Sequence, residues 1–266
     1  MKKLAFAVFI AFVLGGCSPF TPKPEKFTET FYEFFDTVTV VSGYSDSYQQ
    51  FSEAAHLVWS ALALIHTGCL DSPENLFELL ELCETYTADS GGTFDVTLGA
   101  VYALYKDGGE PTAEQLAEAS GVLRYDFGAI AKGYALDKAA EQIEKSNLYG
   151  QTTFAGTISI GGSVAAIGNK PGTADGAWDI GITSPSGDGI AQTIKLAPGQ
   201  FCATSGTYER GNHIIDPRTL KPVISEKSLT IVANSGAVTD FLSTALFVEN
   251  NADLAERYNA ETIWTD

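Results

Sequence analysis

Residues 126–141 read DFGAIAKGYALDKAAE, and this stretch changes character halfway along. Its first part is a tight, glycine-containing turn at the end of a strand-like segment, and its second part has the apolar spacing of an amphipathic helix. Small residues around Gly128 leave the backbone of the turn accessible to a ligand. The first amides of the helix would point at an anion bound there, and Lys132 would add a positive charge. A strand-to-helix connection with a surface lysine is the alternative explanation.

The overall charge of the chain makes a lysine at this turn unusual. The 266 residues contain 33 Asp and Glu but 16 Lys and Arg, which gives a formal net charge of −17. Such an acidic chain disfavours binding to nucleic acid or to an anionic lipid surface through a general electrostatic field. A phosphate ligand would need local devices instead, namely backbone amides, a helix N-terminus, a metal ion or one placed cation.

The first residues have the pattern of an export signal. Two lysines precede an apolar run at 4–14, which is too short to cross about 30 Å of hydrocarbon, and the following LGGC resembles a lipobox that ends at Cys17. We therefore predict a lipoprotein signal peptide at 1–16, a lipidated tether at 17–27 and one domain at 28–266. This implies an exported bacterial lipoprotein on the periplasmic or extracellular face of a membrane. An uncleaved membrane anchor is the alternative.

The remaining cysteines and two of the histidines carry no recognisable metal-binding pattern. Cys69, Cys83 and Cys202 are odd in number, so they cannot all pair and the chain is no disulfide scaffold. Cys69 and Cys83 could form a bridge in an exported protein, or remain unpaired and buried. His56 and His66 lie in a helical, mostly apolar segment, and we interpret them as ordinary helix residues.

The order of the periodic segments predicts the fold class. Strand-like alternation at 37–44 precedes helical spacing at 47–65 and 74–92. Short β-rich pieces then crowd residues 152–236, and one helix returns at 237–258. This order predicts an α+β fold rather than alternating βαβ units.

Five segments place small residues beside polar ones in a way that core packing does not require. They are GGTFDVTLG (91–99), DFGAIAKG (126–133), SIGGSVAAIG (159–168), ATSGTYERGNHIIDPRT (203–219) and TDFLSTALF (239–247). In the first, Asp95 lies in a strand-like run and would be costly to bury without a partner. The alternative for this first segment is a turn capped by Asp95. The alternative for the third segment, residues 159–168, is a plain hairpin.

The last two segments contain residues suited to proton transfer and metal binding. His213 has the side chain most used for proton transfer near neutral pH, although a hairpin with a polar cluster is the alternative. Asp240 and Thr244 are four positions apart, so they share one face of a helix, with Ser243 beside them. Oxygen ligands of this kind suit Mg²⁺. The alternative places Asp240 as the N-cap of its helix.

Together, and in this order, the five segments resemble the ApbE family of FAD:protein FMN transferases. The matching pieces are GGTFDVTLGAVY, DFGAIAKGYALDKA, ISIGGSVAAIG, TSGTYER with HIIDPRT, and TDFLSTALFV, which span 91–248. The resemblance implies a single α+β domain with mixed or antiparallel sheets and packed helices. It also implies Mg²⁺-dependent transfer of FMN from FAD to a threonine of a target protein, with release of AMP. Family targets include subunits of sodium-pumping quinone reductases and Rnf-type complexes.

Other outcomes of the same resemblance remain open. Some family members hydrolyse FAD to FMN and AMP, and a non-enzymatic FAD-binding lipoprotein is a third possibility. The segment NSGAVTD (234–240) loosely resembles flavin-acceptor sequences, so self-modification is a further alternative.

The resemblance also implies roles for individual residues. Either Asp240 or His213 would remove the proton from the attacking hydroxyl. The Mg²⁺ ligands would be the backbone carbonyl of Ala129 and the side chains of Asp240, Ser243 and Thr244. The implied FAD contacts are Phe35, Thr93, Phe94, Asp95, Asp126, Lys132 and Ile214.

Several departures from the family pattern predict altered substrate handling or weak activity. The segment HTGCLDSPEN (66–75) is short where the family has a polar stretch with an aromatic flavin contact. Ser163 stands where Asp or Asn is usual, and Leu220 stands where Gly is typical. We also expect the chain to end before a final strand that family members often have.

Overall fold

A central antiparallel sheet organises the part of the chain that this computed structural model describes, residues 23–67, 72–207 and 213–266. The strands in chain order are β1 (Glu25–Phe31), β2 (Thr39–Ser45), β3 (Ala155–Ile160), β4 (Ser163–Ile167), β5 (Trp178–Thr183), β6 (Ile190–Leu196), β7 (Phe201–Gly206), β8 (Ile215–Asp216), β9 (Lys221–Pro222), β10 (Ser228–Ala233) and β11 (Glu261–Thr265). The main sheet has the order β1-β2-β3-β4-β7-β10-β11, and every neighbouring pair is antiparallel. Two-stranded ladders pair β5 with β6 and β8 with β9.

The helices confirm the predicted α+β class. They are α1 (Tyr48–His66), α2 (Pro73–Asp89), α3 (Gly99–Tyr105), α4 (Ala113–Ser120), α5 (Ala131–Leu148), α6 (Gly236–Val248) and α7 (Ala252–Arg257). The helices α1 and α2 agree closely with the two early periodic segments. The sequence analysis did not identify α4, which has eight residues and none that is buried, because so short a segment gives little periodic signal.

The segment that was expected to be strand-like before α3 forms a turn instead. Leu98 makes one isolated bridge with Arg124, and no strand covers residues 93–98. The Asp95 carboxylate accepts from the amide and the hydroxyl of Thr97, at 2.7 and 2.6 Å. This local bond competes with strand pairing, so the strand-like reading was wrong and the alternative of a capped turn holds.

The C-terminal part differs from prediction in two ways. The single helix expected at 237–258 is split, because Glu249 is extended and the Asn251 side chain caps α7 by accepting from the Leu254 amide. The strand β11 then pairs with β10, with Thr265 opposite Ser228. The sequence analysis did not identify this strand.

Each face of the main sheet is covered by a different layer. The helices α1, α5 and α6 bury one face, where Val41, Ile158 and Ile231 are fully buried in the larger hydrophobic cluster. The hairpin β5–β6 covers part of the opposite face, with Trp178 and Leu196 in a second cluster. Because both faces are covered, the polar ends of the strands are the places where a site can open.

One end of the sheet gathers the segments that the sequence singled out. Thr39, which begins β2, pairs with Ile160, and Ile160 pairs with Ser163 across the Gly161–Gly162 turn. Ser163 also pairs with Ala203 in β7. The third and fourth segments therefore meet at this end, beside the start of α5.

The predicted signal peptide, the lipobox Cys17 and Cys69 lie outside the described residues. The strand β1 begins at Glu25, so its first residues belong to the stretch that was predicted to be a tether. Across the three described ranges, no helix has the length and hydropathy needed to cross a membrane. Cys83 and Cys202 are free and buried, and burial raises the pKa of each thiol to about 12.

Candidate functional site

The site is built where α5 crosses α6. The two helices touch through their backbones at Gly133 and Gly236, and neither position has room for a side chain. The glycine in the AKGYALD sequence therefore has a structural role that helical propensity would not suggest, since glycine costs about 1 kcal/mol in a helix interior. It lets the first turns of the two helices exchange hydrogen bonds.

Each helix supplies a carboxylate that binds the N-terminal backbone of the other. Asp240 of α6 accepts from the Gly133 amide at 2.9 Å. Asp137 of α5 accepts from the amides of Gly236 and Ala237, at 2.6 and 2.9 Å. Both carboxylates thus lie at the positive ends of helix dipoles. Burial raises the pKa of the Asp137 carboxyl, and its hydrogen bonds from the start of α6 oppose that rise.

Asp240 is the centre of the polar cluster and is only 4% exposed. Its Oδ1 accepts from the Ser163 hydroxyl at 2.9 Å, and its Oδ2 lies 3.4 Å from the Lys132 ammonium. Ser163 therefore supplies a neutral donor at the position where a carboxylate or an amide was expected by resemblance. Lys132, with 23% of its side chain exposed, offers positive charge both to Asp240 and to the opening.

The predicted hydroxyls extend from Asp240 along α6. The Ser243 hydroxyl donates to the Asp240 carbonyl and also shares a 2.9 Å hydrogen bond with the Ser205 hydroxyl of β7. Thr244 lies on the next position and is half-buried. The N-cap of α6 is Ser235, whose hydroxyl accepts from the Val238 amide. The alternative in which Asp240 is the N-cap was therefore wrong.

The Ala129 carbonyl is left available by the same arrangement. In a regular helix the amide four positions later, that of Gly133, would donate to it, but this amide donates to Asp240 instead. No hydrogen bond within the described chain ends on the Ala129 carbonyl. A backbone carbonyl, a carboxylate and hydroxyls are hard oxygen donors, and this set fits Mg²⁺. The described residues contain no group of three or more His, Cys, Asp or Glu side chains that could bind a metal by themselves.

Fewer turn amides face the opening than the sequence reading expected. The Gly128 amide donates to the Asp126 carboxylate at 2.8 Å, and the Ile130 and Ala131 amides both donate to the Phe127 carbonyl. The Gly133 amide is used by Asp240. These amides are therefore engaged within the protein, which leaves fewer N-terminal amides for a phosphate than the sequence predicted, and Lys132 is the charge-bearing donor at this turn.

The two predicted acidic FAD contacts come from neighbouring backbone segments. The Asp126 amide donates to the Val96 carbonyl at 2.8 Å, which joins the segment before α5 to the segment that contains Asp95. Asp126 is exposed, whereas Asp95 is half-buried and engaged with Thr97. Their carboxylates lie close enough to Tyr102 to help raise the pKa of its hydroxyl, although burial is the larger cause.

Thr93 and Phe94 are placed mainly for structure. The Thr93 hydroxyl is buried and donates to the Ser90 carbonyl at 3.1 Å. The Phe94 side chain is 2% exposed, with its ring centre 5.1 Å from that of Phe241 in the core. The Phe94 amide donates to the Ser90 hydroxyl at 3.2 Å.

Phe35 lies in a strained loop at the site end of the sheet. It has a positive φ of 56°, and the following Asp36 has a φ of 51°. The Phe35 amide donates to Nδ1 of His66 at 3.1 Å, and the two rings meet edge to face. The interpretation of His66 as an ordinary helix residue is incomplete, because its side chain at the end of α1 holds this loop.

His213 and Ile214 begin the segment that follows residues 208–212, which lie outside the described part. His213 is exposed, and Ile214 is buried, with its carbonyl accepting from the Val223 amide at 2.8 Å. Of the predicted site residues, Lys132 and Asp240 meet at the crossing of α5 and α6, and Ser243 lies one turn further along α6.

A buried carboxylate at a glycine crossing of two helices, beside a freed carbonyl and a lysine, defines an acidic oxygen-donor site on an α+β sheet. The model of the ApbE family matches residues 32–264 of the chain. The chain therefore belongs to the ApbE family.

Relatives and solved structures agree with this assignment. The chain is 29% identical over 242 residues to the FAD:protein FMN transferase of Treponema pallidum, a match that covers 71% of this chain and 65% of that protein. It is 30% identical over 150 residues to the FAD:protein FMN transferase of Rhodobacter capsulatus, which covers 53% of this chain and 27% of that protein. The matched parts thus span about a quarter to two thirds of these relatives.

The solved structures extend the likeness over the whole fold. The flavin transferase ApbE of Vibrio cholerae superposes with a TM-score of 0.73 at 20% identity, covering 91% of this chain and 94% of that one. The ApbE protein of Thermotoga maritima gives a TM-score of 0.73 at 25% identity, with 90% and 93% covered. The antiparallel sheet with packed helices, as predicted, is the fold of this family.

Proposed function

We propose that this protein transfers FMN from FAD to a threonine side chain of a target protein, in a reaction that depends on Mg²⁺ and releases AMP. The observation that carries the proposal is the Ala129 carbonyl, which the Gly133–Asp240 hydrogen bond leaves free beside a buried carboxylate. The family membership and the transferase names of the relatives support the same conclusion.

The residues for Mg²⁺ would be the Ala129 carbonyl, Asp240, Thr244 and Ser243. When bound, Mg²⁺ would neutralise the charge of the FAD pyrophosphate and of the departing AMP. The protein contributes a fixed geometry, because Asp240 is held by Gly133 and by Ser163 before any ligand arrives. Such preorganised charges cost little reorganisation when the reaction occurs.

Lys132 would also bind the pyrophosphate. Its side chain is partly exposed and its ammonium lies 3.4 Å from the Asp240 carboxylate, a long contact that would let it turn towards an anion. This gives a strongly acidic chain one local positive charge at the site. The remaining implied FAD contacts are Phe35, Thr93, Phe94, Asp95, Asp126 and Ile214.

The reaction forms one bond and breaks another. The threonine Oγ attacks the phosphorus on the FMN side of the pyrophosphate, and the bond from that phosphorus to the AMP oxygen breaks. The hydroxyl proton must leave the threonine during the attack. Asp240 is nearly inaccessible and already accepts several hydrogen bonds, whereas His213 is exposed to an incoming protein. We therefore propose His213 as the base and Asp240 as a metal ligand.

Two other functions use the same site. Water in place of threonine would give an FAD pyrophosphatase, and a site without turnover would give an FAD-binding lipoprotein. Self-modification at NSGAVTD is disfavoured, because Thr239 is fully buried and its hydroxyl donates to the Gly236 carbonyl.

The functions are separated by incubating the protein with FAD and Mg²⁺, with and without a threonine-bearing acceptor domain. Separation of the nucleotides by chromatography then measures FAD, FMN and AMP. Release of AMP only when the acceptor is present supports the transferase, whereas equal amounts of FMN and AMP without it indicate the pyrophosphatase. Bound FAD without products would indicate a binding protein and contradict the proposal.

We propose an exported location, with a lipid on Cys17 and a target protein on the same side of the membrane. The target would be a redox subunit of a sodium-pumping quinone reductase, of an Rnf-type complex or of another flavinylated exported protein. Glu25, the first residue of β1, pairs with Ser45, at the opposite end of the sheet from Thr39 and Ser163. A lipid anchor before β1 would therefore attach away from the site and leave it open to the target.

A further inference from the structure

We propose that Asp137 is a positioning residue for the metal site, acting through the backbone of α6 rather than by touching a ligand. This inference rests on the proposed function, since it concerns the metal assigned there. Asp137 is one helical turn after Gly133, on the face of α5 that crosses α6. Nothing in the resemblance assigned it a role.

The contacts of Asp137 hold the start of α6 at three points. Its Oδ1 accepts from the Gly236 amide at 2.6 Å. Its Oδ2 accepts from the Ala237 amide and from the Ser235 hydroxyl, both at 2.9 Å. These groups are the N-cap and the first two residues of α6, so one carboxylate fixes where the helix begins.

The position of α6 in turn sets the geometry of the metal ligands. Asp240 lies one turn after Gly236, so a shift of the helix start moves its carboxylate by a similar amount. The same carboxylate takes the Gly133 amide away from the Ala129 carbonyl. If α6 shifts, the Asp240 ligand is displaced and the Gly133 amide can return to Ala129. Two proposed metal ligands therefore depend on Asp137.

An Asp137→Asn substitution tests this dependence with almost no change in size. The two backbone amides donate to different carboxylate oxygens, and an asparagine side chain presents an oxygen to one of them and an N–H group to the other. In one of the two contacts the asparagine N–H group would then face a backbone N–H group of α6 with no acceptor between them. We expect this to loosen the start of α6.

The experiment is a titration of the full chain with Mn²⁺, used as a paramagnetic substitute for Mg²⁺, in the presence of FAD. Electron paramagnetic resonance measures the free Mn²⁺ and gives its Kd. We expect Asp137→Asn to raise this Kd about tenfold, the lower end of what loss of a residue supporting a metal ligand causes. Binding of FAD without metal, followed by flavin fluorescence, should change less than the Mn²⁺ affinity. The matched control is Asp179→Asn. Asp179 lies on β5 and forms a surface ion pair with Lys170, so its substitution should leave the Kd for Mn²⁺ unchanged.

A second variant keeps the test decisive if Asp137→Asn does not fold. Asp137→Glu retains the charge and both acceptors but lengthens the side chain, so it should fold with a Kd raised to a smaller extent. If Asp137→Asn folds and binds Mn²⁺ with the Kd of the unsubstituted protein, the positioning role is overturned. If Asp137→Asn does not fold, the same result in Asp137→Glu overturns it. If the unsubstituted protein itself bound no Mn²⁺, the metal site of the proposed function would fail, and this inference with it.

Discussion

Gly133 and Gly236 make a backbone-to-backbone contact at the crossing of α5 and α6. A methyl group added to either glycine would overlap the carbonyl oxygen of the other. We expect Gly133→Ala to lower the free energy of unfolding by about 2 kcal/mol or more, since overpacking typically costs 1–3 kcal/mol. Urea unfolding measures the change.

The control for this prediction is Gly121→Ala. Gly121 has a negative φ, and a methyl group there would meet only the Glu118 carbonyl at an ordinary 3.5 Å. Equal stability losses in the two variants would show that the helix crossing is not the sensitive feature.

Leu220, which stands where the family typically has glycine, occupies a backbone conformation that favours glycine. It has a φ of 58°, in the left-handed region where a side chain costs about 1–2 kcal/mol and glycine costs less. We expect Leu220→Gly to raise the free energy of unfolding by about 0.5–1 kcal/mol after the larger chain entropy of glycine is included. Leu220→Val, which is β-branched, should lower it. Urea unfolding measures the free energy of unfolding of both variants. If it changed in the same direction in both, the argument from the backbone conformation of Leu220 would be contradicted.

Asp240 is the residue on which the metal assignment depends most. Asp240→Asn keeps a carbonyl oxygen for the Gly133 amide, so the helix crossing should survive while the charge is lost. We expect the rate of AMP release to fall by at least about 100-fold, comparable to the loss of one strong electrostatic contact in other active sites. Circular dichroism checks that the variant is folded. Full Mg²⁺-dependent turnover in this variant would show that the ligand assignment is incorrect.

Asp216 predicts a pH dependence of stability. Two hydrogen bonds at 3.0 Å from the Arg218 guanidinium hold the pKa of the Asp216 carboxyl below the ordinary value of 3.8. Because the folded-state pKa is lowered, this contribution is present above pH 3.8 and is lost as the pH falls through the lower folded-state value.

The Asp216→Asn variant tests that dependence. It should be less stable than the unsubstituted protein at pH 7, and the difference should shrink below pH 3.8. Asp188→Asn, in the turn between β5 and β6, is the surface control. A stability difference that stays constant between pH 7 and pH 3 would rule out the ion pair as its cause.

The sequence predicted the parts of the fold that depend on local periodicity. The helices α1 and α2 were located closely because their apolar residues repeat at helical spacing. Residues 93–98 were misread because apolar alternation resembles a strand, whereas the Asp95 side chain turns the chain.

The sequence proposes which residues form the candidate site but not how they are arranged. The resemblance implies roles for Asp240, Lys132 and Ala129, and the structure brings the Lys132 ammonium to 3.4 Å from the Asp240 carboxylate. The bond from the Gly133 amide to Asp240 joins residues 107 positions apart, and no local pattern reveals it. The same limit applies to Asp137, which reads in the sequence as an ordinary charged residue on a helix face.

The measurement that tests the central claim most directly is the intact mass of an acceptor domain after incubation with this protein, FAD and Mg²⁺. We predict a gain equal to one FMN residue. The gain should disappear when EDTA is added or when the acceptor threonine is replaced by alanine. An acceptor mass that stays unchanged under these conditions, while FAD is consumed or remains bound, would contradict the assignment of this protein as a flavin transferase.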